Sequence, residues 1–365
     1  MNVLCIIPVV DNSGAPKMMS WVSNQLVKRG HNVILLSLFS DKCEQKLNEN
    51  IVFYSIGIEK SDNWLYRNTV QMKYLLKRIG FVINEYHVDH VLTFLDSTGY
   101  FLAVYNKLFW DKEKVKMIVS ERSDPNRNKG IIKWVKELCM CFSDVVVFQT
   151  DEAKACYCQA IQNKGIIIPN PVIKPGYERV NFNDRKQIIV TVGRLYIRAK
   201  RQDVLIDAFE ILSKKYPDLK LIIYGEGEDR KCIEDIIMSK RLVNVELAGY
   251  IKNVEESIRD SKAFILSSDY EGSPNSLIEA MSLGVPCIAT DCSPGSIKEL
   301  IKDTINGFIV PRGDPLAIVD KAIVLLENEE ISNKISINAT KIIDTFPEVL
   351  IADMWEEAFD CDYVL

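Results

Sequence analysis

The sequence predicts an α/β protein of two Rossmann-like domains, each built on a parallel sheet. Three observations carry this. Short apolar runs alternate with longer amphipathic ones in both halves of the chain. At 365 residues the chain exceeds what one hydrophobic core of ordinary size takes up. A polar, turn-rich stretch, Pro175-Gly176 and residues 181–186, interrupts the alternation and reads as the linker. Domains are therefore expected at 1–172 and 173–345, followed by a last helical segment at 346–365.

Composition narrows the class. Hydrophobic content is 47% and charged content 26%, ordinary for a soluble globular enzyme. The ten cysteines are scattered. Cys139/Cys141 and Cys156/Cys158 are too closely spaced for a zinc finger, so reduced cytoplasmic thiols are expected. Asn2 to Val10 reads as a first strand rather than a signal peptide. No apolar run approaches the roughly 18 residues of a membrane span. The net charge of −5 is unevenly shared. Residues 1–172 hold 21 Lys and Arg against 17 Asp and Glu; the remainder holds 24 against 33. The basic half could face an anionic membrane. No nucleic-acid partner is expected.

In chain order, Val3–Pro8 is a buried-strand pattern, residues 11–16 a loop, 17–30 a helix ending in Gly, and 31–36 a second strand. The three spaced glycines of a dinucleotide fingerprint are missing; Gly14 stands alone, and no acidic residue closes the second strand. A nicotinamide enzyme is thereby excluded. Residues 51–56 suggest a strand, and 67–85 a helix carrying Lys73, Lys77 and Arg78. Residues 88–94 form a strand leading to Ser97-Thr98-Gly99. His87 and His90 fall at a helix–strand junction without a third ligand nearby, so surface histidines are expected rather than a metal site. The strand Lys116–Ser120 runs straight into Glu121, Arg122, Ser123 and Asp124, polar residues where open sheets bind ligands. In residues 128–142, Lys129, Lys133 and Lys136 alternate with Ile131, Ile132, Trp134, Val135 and Leu138. This basic amphipathic helix fits either a membrane surface or a core-facing helix with a solvated lysine face. The Lys107–Trp110 segment has similar character. Asp144–Gln149 is a strand, Thr150 caps the next helix, and Gly165–Pro171 ends the domain.

The second half repeats the alternation. Gln187–Val192 ends at Gly193, with Arg194 beyond it, and a helix follows from Lys200. Arg offers a planar fork of donors and Lys a point charge; both suit pyrophosphate. Leu219–Tyr224 is a strand ending in Gly225-x-Gly227. Ala263–Leu266 is a strand that runs through Glu271-Gly272 into a helix. Ser273 is expected as N-cap with Pro274 in the first helical position, and Gly284 closes the helix ahead of Pro286. Such an opening presents backbone N–H groups and the positive end of the helix dipole, a setting for phosphate. Glu271 and Glu279 bracket it, and carboxylates accept hydrogen bonds from hydroxyls. The arrangement suits a molecule with sugar, pyrophosphate and ribose in series.

The run Glu271 to Asp291, with seven residues between its two glutamates, resembles the signature of retaining glycosyltransferase family 4, and Ser120-Glu121-Arg122-x-Asp124-Pro125 resembles a subgroup of it acting on bacterial surface polysaccharides. That resemblance implies the GT-B fold: two facing Rossmann-like domains, a central cleft, and a C-terminal helix crossing back to the first. It implies that Glu279 binds the ribose and Glu271 the donor sugar. Arg194, Lys200 and the segment Ser273, Pro274, Asn275, Ser276 and Leu277 would hold the diphosphate. These two cations and two glutamates form the expected catalytic set. Gly193, Gly225 and Gly227 would let backbone approach the nucleotide, and Tyr250-Ile251 would meet the base. The family's glycine-rich first loop is reduced to Ser13-Gly14, with Gly14 as its donor contact. The family's usual Gly after the Lys is Arg201 here. Where many members carry a histidine, this chain has Glu121-Arg122; with Asp124 these are the acceptor-side candidates, and no base is assigned. The Asp360-Cys361-Asp362 triplet spells a metal-binding DxD but does not follow an internal strand. No metal or cofactor is expected. The implied reaction moves a hexose or N-acetylhexosamine from a UDP-linked donor to a saccharide acceptor, lipid-linked at the cytoplasmic membrane face. A UDP-sugar 2-epimerase of the same fold and a non-catalytic binding module are the alternatives.

Overall fold

The computed structural model describes residues 1–63, 66–94, 101–105, 115–127 and 130–360. The chain forms two compact units, Met1–Asn170 joined by the segment from Val349, and Pro171–Glu348. The expected features at Ser97-Thr98-Gly99, Lys107–Trp110, Lys129 and Cys361-Asp362 lie outside the described residues.

The first unit contains β1 (Asn2–Ile7), β2 (Asn32–Ser37), β3 (Val52–Ser55), β4 (His90–Phe94), β5 (Lys116–Ser120), β6 (Val145–Phe148) and β7 (Gly165–Ile167). They pair in the order β3-β2-β1-β4-β5-β6-β7, all parallel. The second contains β8 (Lys186–Val192), β9 (Lys220–Tyr224), β10 (Val245–Gly249), β11 (Ser261–Leu266), β12 (Cys287–Thr290) and β13 (Phe308–Val310). Their order is β10-β9-β8-β11-β12-β13, again parallel. Helices cover both faces of such sheets, so central strands are apolar throughout rather than alternating. Val3 to Ile7 and Ala263 to Leu266 are accordingly buried along their whole length. Each order reverses once, between β1 and β4 and between β8 and β11. The crevice beyond the strand ends at such a reversal is where open α/β sheets bind ligands.

The Glu348–Asp360 helix belongs to the first unit. Trp355 stacks on Phe94 with ring centroids 6.1 Å apart, and Arg29 reaches Asp353 at 2.5 Å.

The units divide after Asn170 and after Glu348, and the polar stretch read as a linker is packed onto the second unit. Arg185 anchors it. Its guanidinium donates to the carbonyls of Ser261 (2.9 Å), Val180 (2.7 Å) and Gly284 (2.7 Å). Burial pushes that guanidinium down to about 10. Lys262 Nζ lies 3.4 Å from the Phe182 ring centroid and donates to the Phe182 carbonyl. Cations satisfied by backbone carbonyls therefore fix a segment whose composition alone suggests a spacer.

Candidate active site

The site is built at the β8/β11 reversal. Beyond β8, the chain passes Gly193 and Arg194 into a short helix, Ile197–Lys200. Lys200 thus ends this helix instead of starting the long Gln202–Lys215 helix, and Arg201 forms the joint between them. Beyond β11, Ser267 to Pro274 lead into the Asn275–Ser282 helix. Lys200 Nζ donates to Glu271 Oε1 at 2.6 Å, and Ser268 Oγ donates to the same oxygen at 2.6 Å. The Glu271 side chain is 8% exposed and that of Lys200 27%. Backbone fastens the two loops: Asp269 N–H donates to Ala199 O at 2.8 Å, and Ser267 Oγ to Lys200 O at 2.8 Å. Gly193, Lys200, Gln202, Ser267 and Ser268 line a small recess between the strand ends.

The helix opening differs from expectation by one residue. Pro274, with ψ +96°, is the N-cap, and the helix starts at Asn275. Leu277 and Ile278 N–H groups both donate to Pro274 O, at 3.0 and 3.1 Å. Pro274 has no N–H, so the expected phosphate-binding amides lose Pro274 and Leu277; Ser273, Asn275 and Ser276 form the opening itself. Glu279 lies half-buried further along the same helix. Gly284 ends it in the left-handed region, φ +69°.

Arg194 stands apart from the Lys200–Glu271 pair. It is exposed and holds Glu228 Oε2 through Nε (3.1 Å) and Nη2 (2.6 Å). Gly225 and Gly227 also have a packing role. A Cβ at Gly225 would lie 1.9 Å from Gly193 O, and one at Gly227 2.2 Å from Leu195 O. Both glycines let the loop after β9 press against the loop after β8, which shapes the site from behind. Gly225 N–H also reaches Gly249 O at 2.8 Å, and Tyr250 follows, half-exposed, with Ile251 beside it.

Several contributors were not singled out in the sequence. Buried Ser268 orients Glu271, and buried Gln202 donates to Arg194 O at 2.9 Å. Arg201 pairs with both Asp203 and Asp269. The one sequence signal of Ser268 and Gln202 is proximity to Glu271 and Lys200; Arg201 was marked only as standing where the family's usual Gly is expected.

In the first unit, Gly14 opens the Gly14–Lys28 helix and is exposed. Glu121 is 2% exposed and fully engaged. Ser123 N–H (3.0 Å) and Oγ (2.6 Å) donate to Oε1; Tyr157 OH (2.6 Å) and Lys136 Nζ meet Oε2. This corrects the reading of Lys136: it leaves the solvated face of the Gly130–Met140 helix and is buried as the partner of Glu121. Arg122 lies over Phe94 (4.3 Å) and Trp355 (5.5 Å) and donates to Asn170 Oδ1 at 2.7 Å. Burial pushes its guanidinium down to about 9, and among the described residues Nε and Nη2 have no hydrogen-bond partner. Asp124 is buried; Oδ1 accepts from Asn126 N–H, while Oδ2 has no partner among the described residues.

Residues 177–342 match the family described as Glycosyl transferases group 1. Nearly all of the second unit is thus similar to group 1 glycosyltransferases. An uncharacterized glycosyltransferase of Methanocaldococcus jannaschii is 29% identical over 71% of this chain and 68% of its own. A Campylobacter jejuni α-1,4-N-acetyl-D-galactosaminyltransferase, named for an undecaprenol diphosphate-linked acceptor, is 23% identical over 97% of each chain. Staphylococcus aureus TarM, solved with UDP and α-GlcNAc-glycerol, superposes with a TM-score of 0.79 at 15% identity over 99% of this chain and 100% of its own. The fold is thus GT-B.

Proposed function

We propose that the chain is a retaining glycosyltransferase using a UDP-linked hexose or N-acetylhexosamine. The carrying observation is the Lys200–Glu271 pair beside the Asn275–Ser282 helix opening, at the sheet reversal. It places a cation, helix N–H groups and a carboxylate within one loop pair. A donor diphosphate draws Lys200 Nζ from Glu271 and takes the amides of Ser273 and Ser276. Glu271, freed, accepts a hydrogen bond from the sugar, and Glu279 accepts from the ribose. As the glycosidic bond breaks, negative charge grows on the leaving diphosphate. Lys200, Arg194 and the helix dipole stabilise it there, with no metal needed in this reading. The acceptor hydroxyl attacks from the leaving-group face, so configuration is retained without a protein nucleophile. We assign no proton transfer to Glu121, whose oxygens are taken by Lys136, Tyr157 and Ser123. Arg122 and Asp124, with polar atoms unpaired among the described residues, stay as acceptor-side candidates.

The acceptor in this reading is a lipid-linked saccharide at an anionic membrane, a class that the name of the Campylobacter relative carries. Among the described residues no helix is long and apolar enough to cross a membrane. Surface chemistry supports contact instead. Ile131 (76%), Ile132 (63%) and Trp134 (61%) of the Gly130–Met140 helix are exposed. On the Met72–Glu85 helix, exposed Tyr74 and Phe81 accompany Lys73, Lys77 and Arg78, with no acidic residue before Glu85. Aromatic and cationic groups of this kind suit a headgroup layer.

The test is a binding screen of nucleotide sugars, followed by release of free UDP with and without membrane extract. Acceptor-dependent UDP release supports the proposal. Acceptor-independent conversion to an epimer overturns it.

A further inference from the structure

The joint after Lys200 carries a side chain where the backbone disfavours one. Arg201 has φ +49° and ψ +44°, the left-handed conformation that glycine adopts without strain. Its guanidinium supplies the compensation. It donates to Asp203 through Nε (3.1 Å) and Nη2 (3.0 Å), and to Asp269 Oδ2 through Nη1 (3.1 Å). Asp269 sits on the opposite loop, two residues before Glu271. Its carbonyl accepts from Ser293 N–H at 3.1 Å, which ties it to the loop after β12.

Two ion pairs therefore join the same two loops in parallel, Lys200–Glu271 and Arg201–Asp269. On the proposed function, on which this inference rests, a diphosphate opens the first pair. Nothing in that step displaces the second. The bonds from Asp269 N–H and Ser267 Oγ keep the loops adjacent, and the joint's own backbone bonds (Arg201 N–H to Ile197 O at 3.0 Å, Val204 N–H to Arg201 O at 3.1 Å) shape the left-handed turn; the Arg201 guanidinium ties that turn to the opposite loop and so fixes the direction of Lys200 relative to Glu271. We propose that Arg201 is a positioning residue: anchored on Asp269 and Asp203, it holds the joint so that Lys200 and Glu271 can part and receive the nucleotide sugar in register.

Arg201→Gly removes the whole side chain, guanidinium included, while glycine keeps the left-handed joint without strain. Arg201→Asn, which tolerates the same backbone, is the second variant. UDP is titrated calorimetrically into the wild-type chain, both variants, Asp269→Asn and the Arg201→Gly/Asp269→Asn double. Each single substitution is expected to weaken UDP binding about fivefold, and the double no more than the worse single, since coupled neighbours are non-additive. In turnover assays the change falls on KM for the donor, with kcat within about twofold; a general loss of folded protein would lower kcat instead. Arg201→Lys restores part of the affinity. Wild-type affinity in Arg201→Gly, or additive losses in the double, overturns the inference alone. A wild-type chain that fails to bind UDP overturns the donor reading and the inference with it.

Discussion

Lys200 and Glu271 neutralise each other at 2.6 Å, so the site rests charge-compensated and exchanges one ionic partner for another on binding. Lys200→Ala should cost the diphosphate a charge-assisted hydrogen bond of about 1.5–3 kcal/mol, at least a tenfold loss in UDP affinity. Glu279→Ala should abolish transfer with far-UV circular dichroism unchanged. Near-normal rates of UDP release in both variants would remove these assignments. Glu121 makes a contrasting prediction. Glu121→Gln leaves Lys136 buried without its counter-charge, and the loss in unfolding free energy should be about 3–5 kcal/mol. The paired Glu121→Gln/Lys136→Met chain should lose less, measured by denaturant titration. If Glu121→Gln instead keeps full stability and loses turnover, Glu121 belongs to the chemistry.

At the scale of elements, the loops beyond β8, β9 and β11 interlock through glycine contacts and backbone hydrogen bonds. Gly227→Ala places a Cβ 2.2 Å from Leu195 O, where neither side is a flexible side chain. It should cost about 1–3 kcal/mol and weaken UDP, although Gly227 needs no contact with the nucleotide. Unchanged Tm and affinity would contradict the packing role. The alternation of apolar runs made the strands legible in sequence, because buried parallel strands have no polar face to hide them; the reversal of strand order came from the fold. The Glu271–Glu279 spacing likewise displayed the helix opening. The fate of charged side chains was not legible. Lys136 reads as one of a lysine row, yet it is buried because Glu121 lies on a different strand end. Arg185 reads as linker polarity, yet three carbonyls from distant segments and Val180 next to it hold it in place. Periodicity reports which face is apolar, while ion pairing across elements depends on tertiary neighbours that no local window contains. Arg201 was visible only as a departure from glycine; its partners came from the fold.

For the molecule as a whole, charge is unevenly divided along the chain. The half after residue 172 is acidic, with 33 Asp and Glu against 24 Lys and Arg, yet we place an anionic ligand there. Local geometry outweighs the net field, since Lys200 and the helix amides act at contact while distant carboxylates are screened over a Debye length of about 8 Å. Ile131, Ile132 and Trp134 stand exposed side by side on one helix of the first unit. Trp134→Ser with Ile131→Ser should reduce co-sedimentation with phosphatidylglycerol vesicles and leave UDP affinity unchanged; equal sedimentation would dismiss this face as the membrane contact. The most direct measurement is a crystal structure of the chain with UDP bound. The account predicts the diphosphate on Lys200 Nζ and the amides of Ser273 and Ser276, the ribose on Glu279, and Glu271 released from Lys200. UDP found elsewhere, with the Lys200–Glu271 pair still closed at its present distance, would contradict it.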